Sequence, residues 1–140
     1  MYLLDTDHMS ILERGGTPAL QLTLRLDSLP DSQIATTIIS YEEQCKGWLA
    51  KTSRERGDAL IRAYLQLGQH LDIYAGMTVA PFDARANVIF QELQNQKKVR
   101  IGTQDLKIAA IALSNDATVL TRNLQDFSKI PNLKFEDWSG

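Results

Sequence analysis

The chain of 140 residues has one cysteine, Cys45, so no internal disulfide framework can brace it. Proline and glycine are sparse, four and eight, and the low-complexity and fibrous classes are excluded with them. No apolar run approaches the roughly 18 residues of a membrane span. Met1–Ser10 carries Asp5 and Asp7 where an export signal needs an unbroken apolar stretch, and the expectation is a cytoplasmic protein with no membrane partner. Histidine is nearly absent, and the two present, His8 and His70, lack zinc-like spacing. A basic excess is missing as well: 15 Lys and Arg face 17 Asp and Glu, a net charge of −2. A polyanionic partner would therefore have to be met by a local patch or by a metal ion.

What is present is an ordinary globular composition, with 44% hydrophobic residues and a length matching one domain, residues 1–140. Short apolar or β-branched runs alternate with segments of helical spacing. Tyr2–Leu4 stops at Asp5, Gln33–Ile39 stops at Ser40, Ala117–Thr121 forms a third strand candidate and Leu133–Phe135 a weaker fourth. Between them Tyr41, Cys45, Trp48 and Leu49, then Leu60, Ile61, Tyr64 and Leu65, recur three and four apart, as on amphipathic helices. Leu106–Leu113 is apolar nearly all round and predicts a buried central helix. Strands separated by helices predict an α/β fold, a mostly parallel sheet with helices on both faces, and Pro30 and Pro81 fall at element boundaries.

In a parallel sheet the residues that follow the strands share one edge, where open α/β sheets bind ligands. Asp5, one of Glu42 and Glu43, Asp105 and Asp126 become candidates for one site there. Two like charges 4 Å apart repel by about 4 kcal/mol at an effective dielectric of about 20, so such a cluster calls for a cation. Hard oxygen ligands with little His or Cys nearby suit Mg²⁺ or Mn²⁺ better than zinc. Each acid also has a plainer role. Ser40-x-x-Glu43 fits a capping box, Asn123-x-x-Asp126 nearly repeats it, and Asp105 sits at a helix start, where the dipole favours any carboxylate. Asp5 resists that explanation, because a carboxylate directly after a buried strand needs a partner. Trp48, Tyr64, Tyr74 and Phe90 read as packing residues and Cys45 as a small core residue. Lys97, Lys98 and Arg100, with Lys107 and Arg122 beside the acids, are the cations placed to meet a phosphate backbone.

Four stretches in order, Leu3–Asp7, Ile39–Gly47, Ile101–Ala110 and Leu120–Phe127, resemble PIN-domain ribonucleases of the VapC toxin type over essentially the whole chain. The resemblance implies a three-layer α/β/α sandwich and metal-dependent endonucleolytic cleavage of RNA. It also implies a cognate antitoxin that blocks the acidic pocket, and homodimers. Carried over by position, the family's acids fall on Asp5, on Glu43 (four residues before Gly47), on Asp105 and on Asp126. Its closing motif falls on Thr121 and Asn123, and Asn123 stands where an Asp is also used. Asp5, Glu43, Asp105 and Asp126 would then hold Mg²⁺ or Mn²⁺, with Thr6, Thr121 and Asn123 supporting them. His8 and Lys107 match no catalytic position. Two rivals remain: a haloacid-dehalogenase-like phosphatase, suggested by Asp5-x-Asp7, and a PIN-like module kept for protein contacts, in which the acids serve as caps.

Overall fold

A computed structural model describes all residues, 1–140. Five strands, β1 (Tyr2–Leu4), β2 (Ile34–Thr37), β3 (Thr78–Ala80), β4 (Thr118–Leu120) and β5 (Lys134–Glu136), form one sheet in the order β3-β2-β1-β4-β5. Every pairing is parallel. Seven helices connect them: α1 (Thr6–Arg14), α2 (Gly16–Asp27), α3 (Ile38–Arg54), α4 (Gly57–Ala75), α5 (Ala84–Gln94), α6 (Thr103–Ser114) and the short α7 (Leu124–Phe127). The three-layer α/β/α expectation holds.

Strand periodicity divides the core into two layers. Leu3 is in register with Ala35 and Val119, and these three join Ile108, Ile111, Ala86 and Phe127 of α5–α7 on one face. Leu4, in register with Leu120, faces the other way and packs with Met9, Leu22 and Tyr74 of α1, α2 and α4. A sheet covered on both faces needs no polar alternation, which is why its strands read as short continuous apolar runs. The chain passes β1→β2→β3 in one direction, then returns to lay β4 on the other side of β1. The C-terminal ends of β1 and β4 therefore flank the switch point of the sheet, the crevice where such folds hold ligands.

Several elements differ from expectation. The predicted strand over Gln33–Ile39 is shorter, because Thr37 takes the N-cap of α3 and its Oγ1 accepts from the Ser40 N–H at 3.1 Å. Ser40 therefore lies inside the helix, and the Ser40–Glu43 capping box does not form. Strand β3 gave no signal: three residues between Met77 and Pro81 carry too little pattern. On α4 the apolar spacing pointed to the wrong face. Ile61, Tyr64 and Leu65 are exposed, and the inward residues are Ala63, His70 and Tyr74. Burial of His70 is possible because Glu13 Oε1 lies 3.0 Å from its Nδ1, a pairing hydropathy does not register. Cys45 is only half-buried, its Sγ 3.3 Å from His70 Nε2, and it belongs to neither apolar layer.

The cap reassignment has a measurable consequence. Thr37→Ala should cost about 1 kcal/mol in urea unfolding through loss of the cap, and Ser40→Ala should cost less. Equal losses, or a larger one at Ser40, would return the cap to Ser40.

Candidate active site

Asp5 continues the β1 ladder, its N–H donating to Leu120 O at 3.0 Å, and caps α1, its Oδ1 accepting from the His8 N–H at 2.9 Å. Capping and site placement coincide here: the carboxylate is almost fully buried yet opens on a cleft. Glu43 projects from the second turn of α3, and Thr6 Oγ1 donates to its Oε1 at 2.7 Å. Release from the capping box leaves Glu43 free to do this. Asp105 stands in the first turn of α6. Asn123, just after β4, donates its amide Nδ2 to Asp105 Oδ2 at 3.2 Å and to Asp126 Oδ2 at 3.0 Å. Thr121 Oγ1 fixes that turn by accepting from the Asn123 N–H at 2.9 Å.

Asp5, Thr6, Asp7, Glu43, Asp105, Arg122 and Asn123 line one open cleft of about 490 Å³ with no apolar residue in it. Asp126 sits outside this lining, tied to Asn123 and 3.4 Å from Lys129 Nζ. Glu42 points elsewhere: it is exposed, accepts from Gln104 Nε2 at 2.9 Å and lies 3.9 Å from Lys46 Nζ. Among the predicted cations only Arg122 reaches the cleft. Lys107 lies with its Nζ 5.9 Å from the Phe90 ring, and Lys97, Lys98 and Arg100 occupy the exposed stretch between α5 and α6.

No family model matches the chain. Ribonuclease VapC2 of Rickettsia felis is 32% identical over 105 residues, which cover 64% of this chain and 78% of that protein. The chain belongs to the VapC ribonuclease family. Ribonuclease VapC1 of Haemophilus influenzae (strain R2866) is 28% identical over 142 residues, covering 99% of this chain and 98% of that one. Among solved structures, VapBC-1 from nontypeable Haemophilus influenzae superposes with a TM-score of 0.81 at 22% identity, covering 99% of this chain and 98% of that one. VapBC-5 from Mycobacterium tuberculosis, a member of the VapBC family of toxin-antitoxin systems, does so with a TM-score of 0.62 at 22% identity, covering 99% and 97%. Membership in the VapC family overturns the dehalogenase-like reading, and the geometry agrees: Asp5 and Asp7 share the cleft with Glu43, to which that reading gave no task.

The electrostatics of this VapC site are those of a cleft short of positive charge. Burial, reinforced by the charges of Asp5, Glu43 and Asp126, pushes Asp105 up to about 6, and the Asn123 amide opposes the rise only in part. Asp126, half-buried, is instead held below the usual range by the same amide and by Lys129. The donor set suits a hard divalent ion: carboxylate oxygens, each held by a neutral donor that leaves lone pairs free. No three His, Cys, Asp or Glu side chains come close enough together to hold an ion between them. An ion seated here would keep water ligands, the habit of Mg²⁺.

The sequence reading missed a second feature. A groove of about 750 Å³ between α1, α3 and α4 adjoins the acidic cleft, sharing Thr6 and Glu43 with it, and Arg14, Trp48, Lys51 and Arg54 line it. The signal was there: Glu43, Gly47, Lys51 and Arg54 follow one another on one face of α3 at helical spacing. Trp48, expected to pack, stands in the groove wall with Lys51 Nζ 4.7 Å from its ring.

The raised Asp105 makes stability depend on pH. Its carboxyl binds a proton more tightly in the folded chain than at its ordinary value of 3.8. The stability associated with the neutral form is complete below about 3.8 and is lost as pH rises through about 6. Allowing for partial solvent screening, that loss is on the order of 2 kcal/mol. Metal-free Asp105→Asn should therefore match wild type near pH 4 and melt higher near pH 7.5, and millimolar Mn²⁺ should raise only wild type. Equal melting temperatures of the metal-free pair near pH 7.5 would remove the charge-crowding account.

Proposed function

We propose that the chain is a divalent-metal-dependent endoribonuclease acting in the cytoplasm as the toxin of a toxin-antitoxin pair. The observation that carries this reading is the convergence of Asp5, Glu43 and Asp105 from three elements on one polar cleft, each carboxylate oriented by a neutral hydrogen-bond donor. Asp5, Glu43 and Asp105 would hold Mg²⁺ or Mn²⁺, in part through water, with Asp126 supporting them as a ligand or through water. When bound, the ion supplies the positive charge that an attacking water and a departing oxygen both require in phosphodiester hydrolysis. The protein's own groups do the positioning. Thr6 holds Glu43 and Asn123 holds Asp105, so neither carboxylate has to reorganise when RNA arrives. Arg122, in the cleft lining, meets a phosphate oxygen of the strand.

RNA flanking the cleaved bond runs along the groove. Arg14, Lys51 and Arg54 meet its phosphates, and Trp48 offers an aromatic face to a base. Glu13, also in the groove wall, is turned toward His70, its Oε1 3.0 Å from Nδ1. An antitoxin closes the same acidic cleft by placing a cationic side chain, an Arg for its bidentate fork, against Asp5 and Asp105. Exposed Leu20 and Leu24 on α2, with Ile61 and Leu65 on α4, supply apolar surface for the antitoxin and for a homodimer.

Asp5→Asn preserves size and removes the charge. It should abolish Mg²⁺-dependent cleavage of RNA by the purified chain without altering its circular dichroism. Glu43→Gln should cost about 10²-fold or more in rate, whereas Glu42→Gln should stay within about threefold of wild type. Full activity in Asp5→Asn would end the metal-site reading. For the groove, RNA binding by catalytically silent Asp5→Asn is followed against salt. Each phosphate contact on a single strand contributes about 0.7 to the slope of log affinity against log salt. Adding Arg14→Gln, Lys51→Gln and Arg54→Gln together should flatten that slope by about 2. A slope unchanged there, but flattened by neutralising Lys97, Lys98 and Arg100, would move the RNA to the other side of the cleft.

A further inference from the structure

His8 has no role in the chemistry described so far, yet it is fully buried directly behind Asp5. Its Nε2 faces the backbone N–H of Trp138 at 3.2 Å, a bond between residues at opposite ends of the chain. A backbone N–H can only donate, so Nε2 must accept and carry no proton. The ring proton of the neutral imidazole is thereby forced onto Nδ1. That nitrogen lies 3.4 Å from Asp5 Oδ1, outside hydrogen-bond geometry, and has no hydrogen-bond partner. A buried donor without a partner is costly, and the acceptor nearest to Nδ1 is the carboxylate that follows β1.

We propose that His8 is a positioning residue for Asp5, with its tautomer set by the C-terminal tail. The His8 backbone N–H bonds Oδ1 at 2.9 Å, and the buried ring brings Nδ1 within 3.4 Å of the same oxygen, so that the imidazole and the backbone confine one side of the carboxylate. The tail is itself anchored: the Trp138 ring lies 4.7 Å from that of Tyr2, and the Arg25 guanidinium covers it at 4.6 Å. Asp137 Oδ1, 3.7 Å from Nε2, is the other acidic group facing the ring. The last residues of the chain thus act on the first carboxylate of the site through one imidazole. The inference rests on the reading of Asp5 as a metal-holding residue.

The test has a metal-free arm and a metal arm. In the metal-free full-length protein, ring ¹⁵N resonances of His8 should report the Nδ1–H tautomer, and Asp5→Asn should shift that proton; the Nε2–H tautomer would overturn the proposal. In the second arm Asn and Gln separate the two ring nitrogens, because the Asn amide reaches the Nδ1 position and the Gln amide the Nε2 position. His8→Gln should weaken Mn²⁺ binding and lower kcat about tenfold or more with KM for RNA unchanged, and His8→Asn should stay within about threefold of wild type. If His8→Gln does not fold, His8→Leu takes its place as the variant without a donor at Nδ1. Losses that are equal in the two variants and follow their melting temperatures would mean a purely structural histidine and overturn the proposal. A wild type that shows the Nδ1–H tautomer but neither binds Mn²⁺ nor cleaves RNA would instead remove the catalytic reading of the cleft and, with it, the assigned role of His8.

Discussion

Crowding of carboxylates at the end of a buried parallel sheet is the constraint around which the molecule is arranged. Asp5, Glu43 and Asp105 share a cleft in which Arg122 is the only cation, so in the folded chain at neutral pH their repulsion is incompletely relieved. The fold tolerates this by giving each carboxylate a donor that carries no charge: a backbone N–H for Asp5, the Thr6 hydroxyl for Glu43 and the Asn123 amide for Asp105. Cations in those places would have stabilised the empty site and competed with a divalent ion. Neutral donors fix geometry and leave the charge deficit for a ligand to fill, which is the usual exchange of stability for function at a site.

Sheet topology turns three residues distant in sequence into neighbours. With β1 in the middle, β4 ends level with it and β2 runs one residue further, Thr36 and Leu120 both being in register with Leu4. Asp5, Thr37 and Thr121 follow at the same height, and each begins a turn into a helix or loop that carries site residues. Thr37 opens α3 and sets the phase that brings Glu43 to the cleft. A one-residue change of that start would rotate Glu43 by about 100° and present a neighbour instead, so the cap sets which side chain faces the cleft as well as stabilising the helix.

The placement of Asp5, Asp105 and Asn123 was legible because strand ends and helix starts leave clear marks in apolar patterning. The choice between Glu42 and Glu43 was not settled by helical phase, since adjacent residues differ by about 100° and the true start of α3 was three residues earlier than the Ser40 box implied. Motif spacing chose Glu43, and Thr6 shows what holds it there. Strand β3 and the inward face of α4 were illegible for a shared reason: one is three residues long, and the other buries a histidine whose carboxylate partner is 57 residues away. Long-range polar pairing has no local signature. The same holds for His8, whose partner Trp138 is 130 residues distant.

A net charge of −2 gives no global attraction for a polyanion, and the proposed RNA binding turns instead on how one helix distributes its charges. Helix α3 carries Glu43 near its start, against the cleft, and Lys51 and Arg54 in its last turn. The macrodipole favours an acid at the first end and bases at the second, so segregating the charges costs the helix nothing. The same face thereby gives the site a carboxylate and, two turns on, gives the adjoining groove its cations. Overall charge sums these opposites to nearly zero. On the proposed reading, a strand laid along α3 would meet them in order, phosphates against Lys51 and Arg54 and the bond to be cut over the acids, with a divalent ion to offset their charge.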